Sequence, residues 1–192
     1  MKKLLLSLGG LLVLGVVFAL SFGWYHIRQF ESQLVQHDRY ESEFWSVVLP
    51  EGFIPMFENR ELLERFQPKW KEVFELSGPV DEGFYFGNQA QILGFSGGAS
   101  PLYCARLEKL RSHLEGLGKG YISNTVEIEL GTRQWTRWHE SARDWHAVNW
   151  MTCSEKAYWA VQLGRVKSVP DEETIDKVQS SIGEAKLTES QN

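Results

Sequence analysis

The sequence predicts an α+β fold: an N-terminal transmembrane helix, then an antiparallel sheet with helices on both faces. Three observations predict it. From Leu4 to Tyr25 no side chain is charged. From Thr125 to Leu163, β-prone runs separated by turn residues form a meander. Two stretches, Ser100–Leu117 and Asp171–Ile182, carry apolar stripes at helical spacing.

The uncharged run comes first. Its 22 residues would reach roughly 33 Å as a helix, against a hydrocarbon core of about 30 Å. Lys2 and Lys3 precede it, and Trp24 and Tyr25 close it as an interfacial belt. A cleaved signal peptide is the rival reading, with Ala19 and Ser21 placed for a cut before Phe22. The apolar run is long for a signal core and continues past that cut, which favours an uncleaved anchor. No cysteine near its end invites a lipid. Lys2, Lys3 and the terminal amine outweigh Arg28, so the N-terminus is expected in the cytoplasm. The expected organisation is therefore an anchor over 1–25, a helical stalk over 26–40, a domain over 41–183 and a disordered tail over 184–192. The protein is expected in the inner (cell) membrane as a single-pass species, its domain extracytoplasmic.

The chain carries a formal charge of −5; without Lys2 and Lys3, 18 basic residues face 25 acidic ones. An acidic domain with no basic run argues against nucleic acid as a partner. Cys104 and Cys153 are an even set in an oxidising compartment, so a disulfide between them is one expectation and two buried thiols the other.

Each element has its own signature. Ile27, Phe30 and Leu34 extend the helical spacing into the stalk. Phe44–Leu49 is a strand ending at Pro50-Glu51-Gly52. Glu58–Leu76 reads as a helix broken at Gln67, because Pro68 disfavours the α region there. Phe84–Phe86 and Ala90–Phe95 flank Gly87-Asn88 as a hairpin. Ser100 is placed as the N-cap of the mid-chain helix, and Pro101 as its first residue. Val126, Ile128 and Leu130 alternate with polar residues on a strand with one wet face. Gln134–His139 and Trp145–Cys153 follow. Ala157–Leu163, apolar on both faces, is expected in the middle of the sheet. Asp171 caps the last helix, which buries Ile175, Val178 and Ile182.

This order is similar to that of the PsbP-like and DcrB-like domains. Leu49-Pro50-Glu51-Gly52-Phe53 resembles their Pro-x-Gly-aromatic start. Val126-Glu127-Ile128-Glu129-Leu130-Gly131, the strand with Tyr158-Trp159-Ala160-Val161, and the helix ending in Gln179-Ser180-Ser181-Ile182 follow in their order. The resemblance covers most of 44–182 and implies an antiparallel sheet with helices on both faces. It also implies an accessory or assembly factor rather than an enzyme, with no shared catalytic residues. The chain departs from many members in its apparent span and its tryptophan count.

Candidate chemistry is sparse. Gly94-Phe95-Ser96-Gly97-Gly98 is a formal G-x-S-x-G between a strand and a helix, as in a nucleophile elbow. Too few strands precede Ser96 for that fold, and Asp144 and His146 lie too close in sequence for separate loops. A glycine-rich link is the plainer reading. His139, Glu140 and His146 flank one turn; three ligands with an open position would suit zinc, but polar hairpin ends explain them equally. Trp135 and Trp138, like Trp145 and Trp150, are an odd number of residues apart, so alternation sends each pair to opposite faces. These four are either core or an aromatic platform for a partner, a glycan or a lipid.

The expected function is a non-catalytic accessory or binding subunit of an envelope assembly, without cofactor or metal. Its partners would be the membrane and other envelope proteins. A small exported hydrolase using Ser96 and a glycan- or lipid-binding domain using exposed tryptophans are the alternatives.

Overall fold

A computed structural model describes residues 21–66, 83–87, 91–99, 104–105, 109, 112 and 122–189. The chain divides into two compact units, Met1–Val35 and Gln36–Asn192.

In the first unit, residues 21–31 form helix α1. The Arg28 guanidinium stands 4.0 Å from the Trp24 ring centroid. Phe22, Trp24, Tyr25 and Ile27 are all exposed. Among the described residues no helix is long and apolar enough to cross a membrane. Most of the expected span, 4–20, lies outside them. The helix ends at residue 31 rather than running to 40. Leu34 follows in a non-helical turn, and Arg39 already opens a strand.

The second unit is built on a seven-stranded antiparallel sheet. Its strands are β3 (Ile54–Pro55), β4 (Phe84–Gly87), β5 (Gln91–Gly98), β6 (Ile122–Leu130), β7 (Arg133–Ala142), β8 (Trp145–Cys153) and β9 (Tyr158–Val166). Their order is β3-β4-β5-β9-β8-β7-β6, which puts β9 in the centre as expected. Successive side chains alternate between faces, so cross-strand partners share one. Leu93, Leu163 and Val148 lie in one row, and Phe95, Val161 and Trp150 in the next. Both rows belong to what we term the inner face. Gly94, Gln162, Asn149 and Trp138 form a row on the opposite, outer face.

The inner face is covered by helix α3 (Glu172–Gly183) together with a second, three-stranded sheet. That sheet comprises β1 (Arg39–Glu41), β2 (Trp45–Val48) and β10 (Lys186–Leu187), in the order β1-β2-β10. A short helix, α2 (Arg60–Phe66), follows β3. The small sheet adds to the expected architecture and corrects one expectation. It shares the inner face with the expected helix, while the mid-chain helix expected on the other face lies mostly outside the described residues. The tail, expected to be disordered from 184, pairs with β2 and is pinned further by Arg133 on Glu189 at 3.0 Å. Leu187 is the reason: it is the last apolar residue and packs against the core.

The core lies between these layers. Trp45, Trp135, Trp150 and Trp159 are all at most 1% exposed. The Trp45 ring stacks on Trp135 at 6.5 Å and meets Phe95 edge-on at 5.4 Å. Each such pair adds about 0.5–1.5 kcal/mol beyond burial. Trp159 Nε1 donates to the Phe44 carbonyl at 2.7 Å, which ties the central strand to the entry of β2. Asp171 caps α3 by accepting from the Thr174 amide at 2.9 Å, and Ile175, Val178 and Ile182 are buried as predicted. The β6–β7 turn abuts the end of this helix. Gly131 there has φ +62°, and a Cβ on it would lie 2.6 Å from the Gly183 carbonyl oxygen.

The helix expected over Glu58–Leu76 is described only as far as Phe66, and the break at Gln67 lies outside the described residues. Of the mid-chain helix, the described residues Cys104, Ala105, Lys109 and Ser112 are helical.

Candidate functional site

Ser96 lies inside β5, not on a turn. The whole Gly94–Gly98 pentapeptide is strand, paired with Tyr158–Gln162 of β9. A nucleophile elbow needs a sharp strand-to-helix turn, and this backbone makes none. Ser96 is on the outer face beside Ala160, whereas His139 and His146 are on the inner face. The glycines have packing reasons instead of catalytic ones. A Cβ on Gly94 would stand 2.9 Å from the Phe84 ring, and one on Gly98 2.8 Å from the Tyr158 ring. The expectation of a glycine-rich link into a helix is thus corrected to a strand whose glycines lie beneath aromatic rings.

His139, Glu140 and His146 do not converge. His139 pairs with Val148 and His146 with Ser141 on the inner face, while Glu140 pairs with Ala147 on the outer one. The His146 ring Nδ1 is 3.0 Å from Ser141 Oγ. Burial, reinforced by the Arg137 charge and partly offset by Glu172, lowers the pKa of His139.

The four tryptophans divide by face. Trp135 and Trp150, offered as part of a partner surface, are core; Trp150 Nε1 reaches Gln179 of α3 at 3.3 Å. This corrects the expectation for those two. Trp138 and Trp145 are half-buried on the outer face. The Trp145 ring lies across Gly164, where a Cβ would collide with it outright. Between the two rings runs a polar chain: Gln162 Nε2 donates to Asn149 Oδ1 at 2.9 Å, and Asn149 Nδ2 to Glu140 Oε2 at 3.4 Å. Asn149 is nevertheless 5% exposed, so this network is part of the packed molecule.

Cys104 and Cys153 form the disulfide, with Cα atoms 6.6 Å apart. Cys153 ends β8 on the outer face, opposite Tyr158. The bond therefore ties the mid-chain segment to that side.

One further feature is not legible in the sequence. A groove of about 950 Å³ runs between the two sheets, lined by β1 on one side and by Pro55, Phe84 and Tyr85 on the other. His37 Nε2 and Glu58 Oε2 meet at 3.1 Å in its wall. Residues 36–40 of this lining fall in the helical stalk expected over 26–40, but they are not helical.

No protein-family model and no curated protein matches the chain. Among solved structures it is similar to the solution structure of cyanobacterial PsbP (CyanoP) from Synechocystis sp. PCC 6803. The TM-score is 0.43 and the identity 8%, over 78% of this chain and 91% of that one.

Proposed function

We propose that the chain is a non-catalytic accessory or binding subunit of an envelope assembly, held to the membrane by its N-terminal helix. The observation that carries this reading is the junction of two unlike parts. An uncharged run from Leu4 leads into a helix on which Phe22, Trp24, Tyr25 and Ile27 stand exposed. Four large apolar side chains within two helical turns call for an apolar cover, and the bilayer interface supplies one. Beyond them stands a packed, disulfide-tied domain, as suits an oxidising compartment. The placement of Ser96 within a strand supports binding over ester hydrolysis.

The test is co-purification from detergent-solubilised membranes at native expression, after carbonate washing. Retention in the membrane, with Met1–Phe22 present and at least one stoichiometric protein partner, is the expected result. A washed-off mature form starting near Phe22, or an anchored protein always alone, would refute it.

A further inference from the structure

The small sheet has a free edge at β1, and its backbone bonding pattern identifies which groups that edge offers. Leu49 N–H donates to the Asp38 carbonyl, and Ser42 N–H to the Trp45 carbonyl, both at 2.9 Å. Bonded positions alternate along an antiparallel pair, so residues 38, 40 and 42 bond inward to β2. The N–H and C=O of Arg39 and Glu41 then point away from β2. Among the described residues no backbone or side-chain partner meets them.

These groups lie beside the groove of about 950 Å³. Across it, β3 is the edge of the large sheet, and its Pro55 has no N–H to offer. Asp38, Glu41 and Glu58 make the walls acidic; among the described residues Arg39 is their one permanent cation, and it is engaged by Ser46 Oγ at 2.8 Å and by Glu41. Phe57 contributes a half-buried ring. The other long edge is guarded. β6 has a bulge between Ser123 and Val126 and carries Glu127 and Glu129, which discourage pairing.

We propose that β1 is a docking edge for an extended, basic segment of a partner protein, which adds to the small sheet as a fourth strand. Main-chain bonds to Arg39 and Glu41 hold it, apolar side chains at alternate positions meet Phe57, and Lys or Arg between them meet Asp38, Glu41 and Glu58. This rests on the binding-subunit reading and names its site and partner chemistry.

The test uses the full chain in detergent micelles and an array of octapeptides alternating Lys or Arg with Val, Ile, Phe or Tyr. The expected result is binding by members of the array, with the amide exchange of Arg39 and Glu41 slowed. Glutamate counterparts of those peptides bind at least about tenfold more weakly, a difference of about 1.4 kcal/mol. Glu41→Pro removes an outward N–H and leaves the bonds to β2 intact, so it abolishes binding without unfolding the domain. Should that variant not fold, Asp38→Lys with Glu41→Lys reverses the charge and must reverse the preference for basic peptides. No binding by any member, or equal binding of acidic and basic peptides, overturns the proposal. So does a peptide-free dimer that Glu41→Pro dissolves, since a second copy would then own the edge. An envelope partner that still co-purifies with Glu41→Pro also overturns it and leaves the binding-subunit reading standing. Absence of any partner from the wild-type chain defeats that reading itself.

Discussion

The two faces of the seven-stranded sheet are built from the same strands in opposite ways. On the inner face β9 presents Trp159, Val161 and Leu163, and all three are at most 2% exposed. On the outer face the same strand presents Tyr158, Ala160, Gln162 and Gly164. Bulky residues demand a second layer with its own apolar surface, which α3 and the small sheet provide. The small outer residues let neighbouring rings lie down on the sheet, as Trp145 does on Gly164 and Phe84 on Gly94. Among the described residues the inner face thus gathers the large buried tryptophans, and the outer combines flat aromatic cover with a hydrogen-bonded polar chain.

Truncation of a tryptophan on each face is the largest test of that contrast. Trp150→Ala should cost about 3–5 kcal/mol, as large core truncations do. Trp138→Ala should cost about 1 kcal/mol or less, in the range of substitutions away from the core. Urea unfolding of the full chain in micelles measures both, and equal losses would break the comparison.

Opening the disulfide comes next. The bond closes a loop between positions separated by 49 residues. In the chain-entropy model Cys153→Ser with Cys104→Ser should cost about 4 kcal/mol. Because Cys153 is on the outer face, fluorescence of the buried inner tryptophans should keep its native maximum below the transition. A red-shifted native spectrum would mean that the two faces are not separable.

A smaller effect tests the inner layer at its helix. Asp171→Ala should cost about 1 kcal/mol by removing the cap. The Thr174 amide bond holds the Asp171 carboxyl below its usual pKa. Its contribution is therefore present above the unfolded value near 3.8 and fades as pH falls through the lower folded one. The difference between wild type and variant, measured by denaturation at a series of pH values, should shrink below about pH 4.

The smallest effect belongs to His139. Its folded pKa is lowered, chiefly by burial, so the unfolded chain takes up the proton first. Stability from the neutral ring is present above 6.5 and is lost as pH falls below it. His139→Gln should make that acid-side decline shallower; an unchanged slope would show that the ring titrates freely.

Much of the inner layer could be read in advance. The stripe Ile175, Val178 and Ile182, the cap at Asp171 and the central place of Ala157–Leu163 follow from spacing and capping chemistry, which are local. The cysteine pairing was one of two open readings, settled by position in space. What misled was parity. Trp159, Val161 and Leu163 are odd-numbered neighbours and share one face, so the strand is apolar and bulky on one side and mixed on the other. The small sheet was illegible for another reason. Of its strands β1 has three residues and β10 two, and neither carries an alternating pattern long enough to register. Their pairing is decided by contacts between opposite ends of the chain. The groove beside β1 inherits that obscurity, since it exists only once the small sheet has formed.

The place of β2 between β1 and β10 has a consequence for how the molecule is made. The Phe44 carbonyl accepts from Trp159 Nε1 and also from the Thr188 amide, both at 2.7 Å. One of the first residues of the domain is therefore bonded to one of the last. During synthesis β2 waits with one edge open while the whole large sheet is produced, and it is closed only when Lys186 and Leu187 emerge. Contacts of such sequence separation form late and slowly. The domain's second strand is thus among the last to be completed, and assembly runs as a circle that closes near where it began.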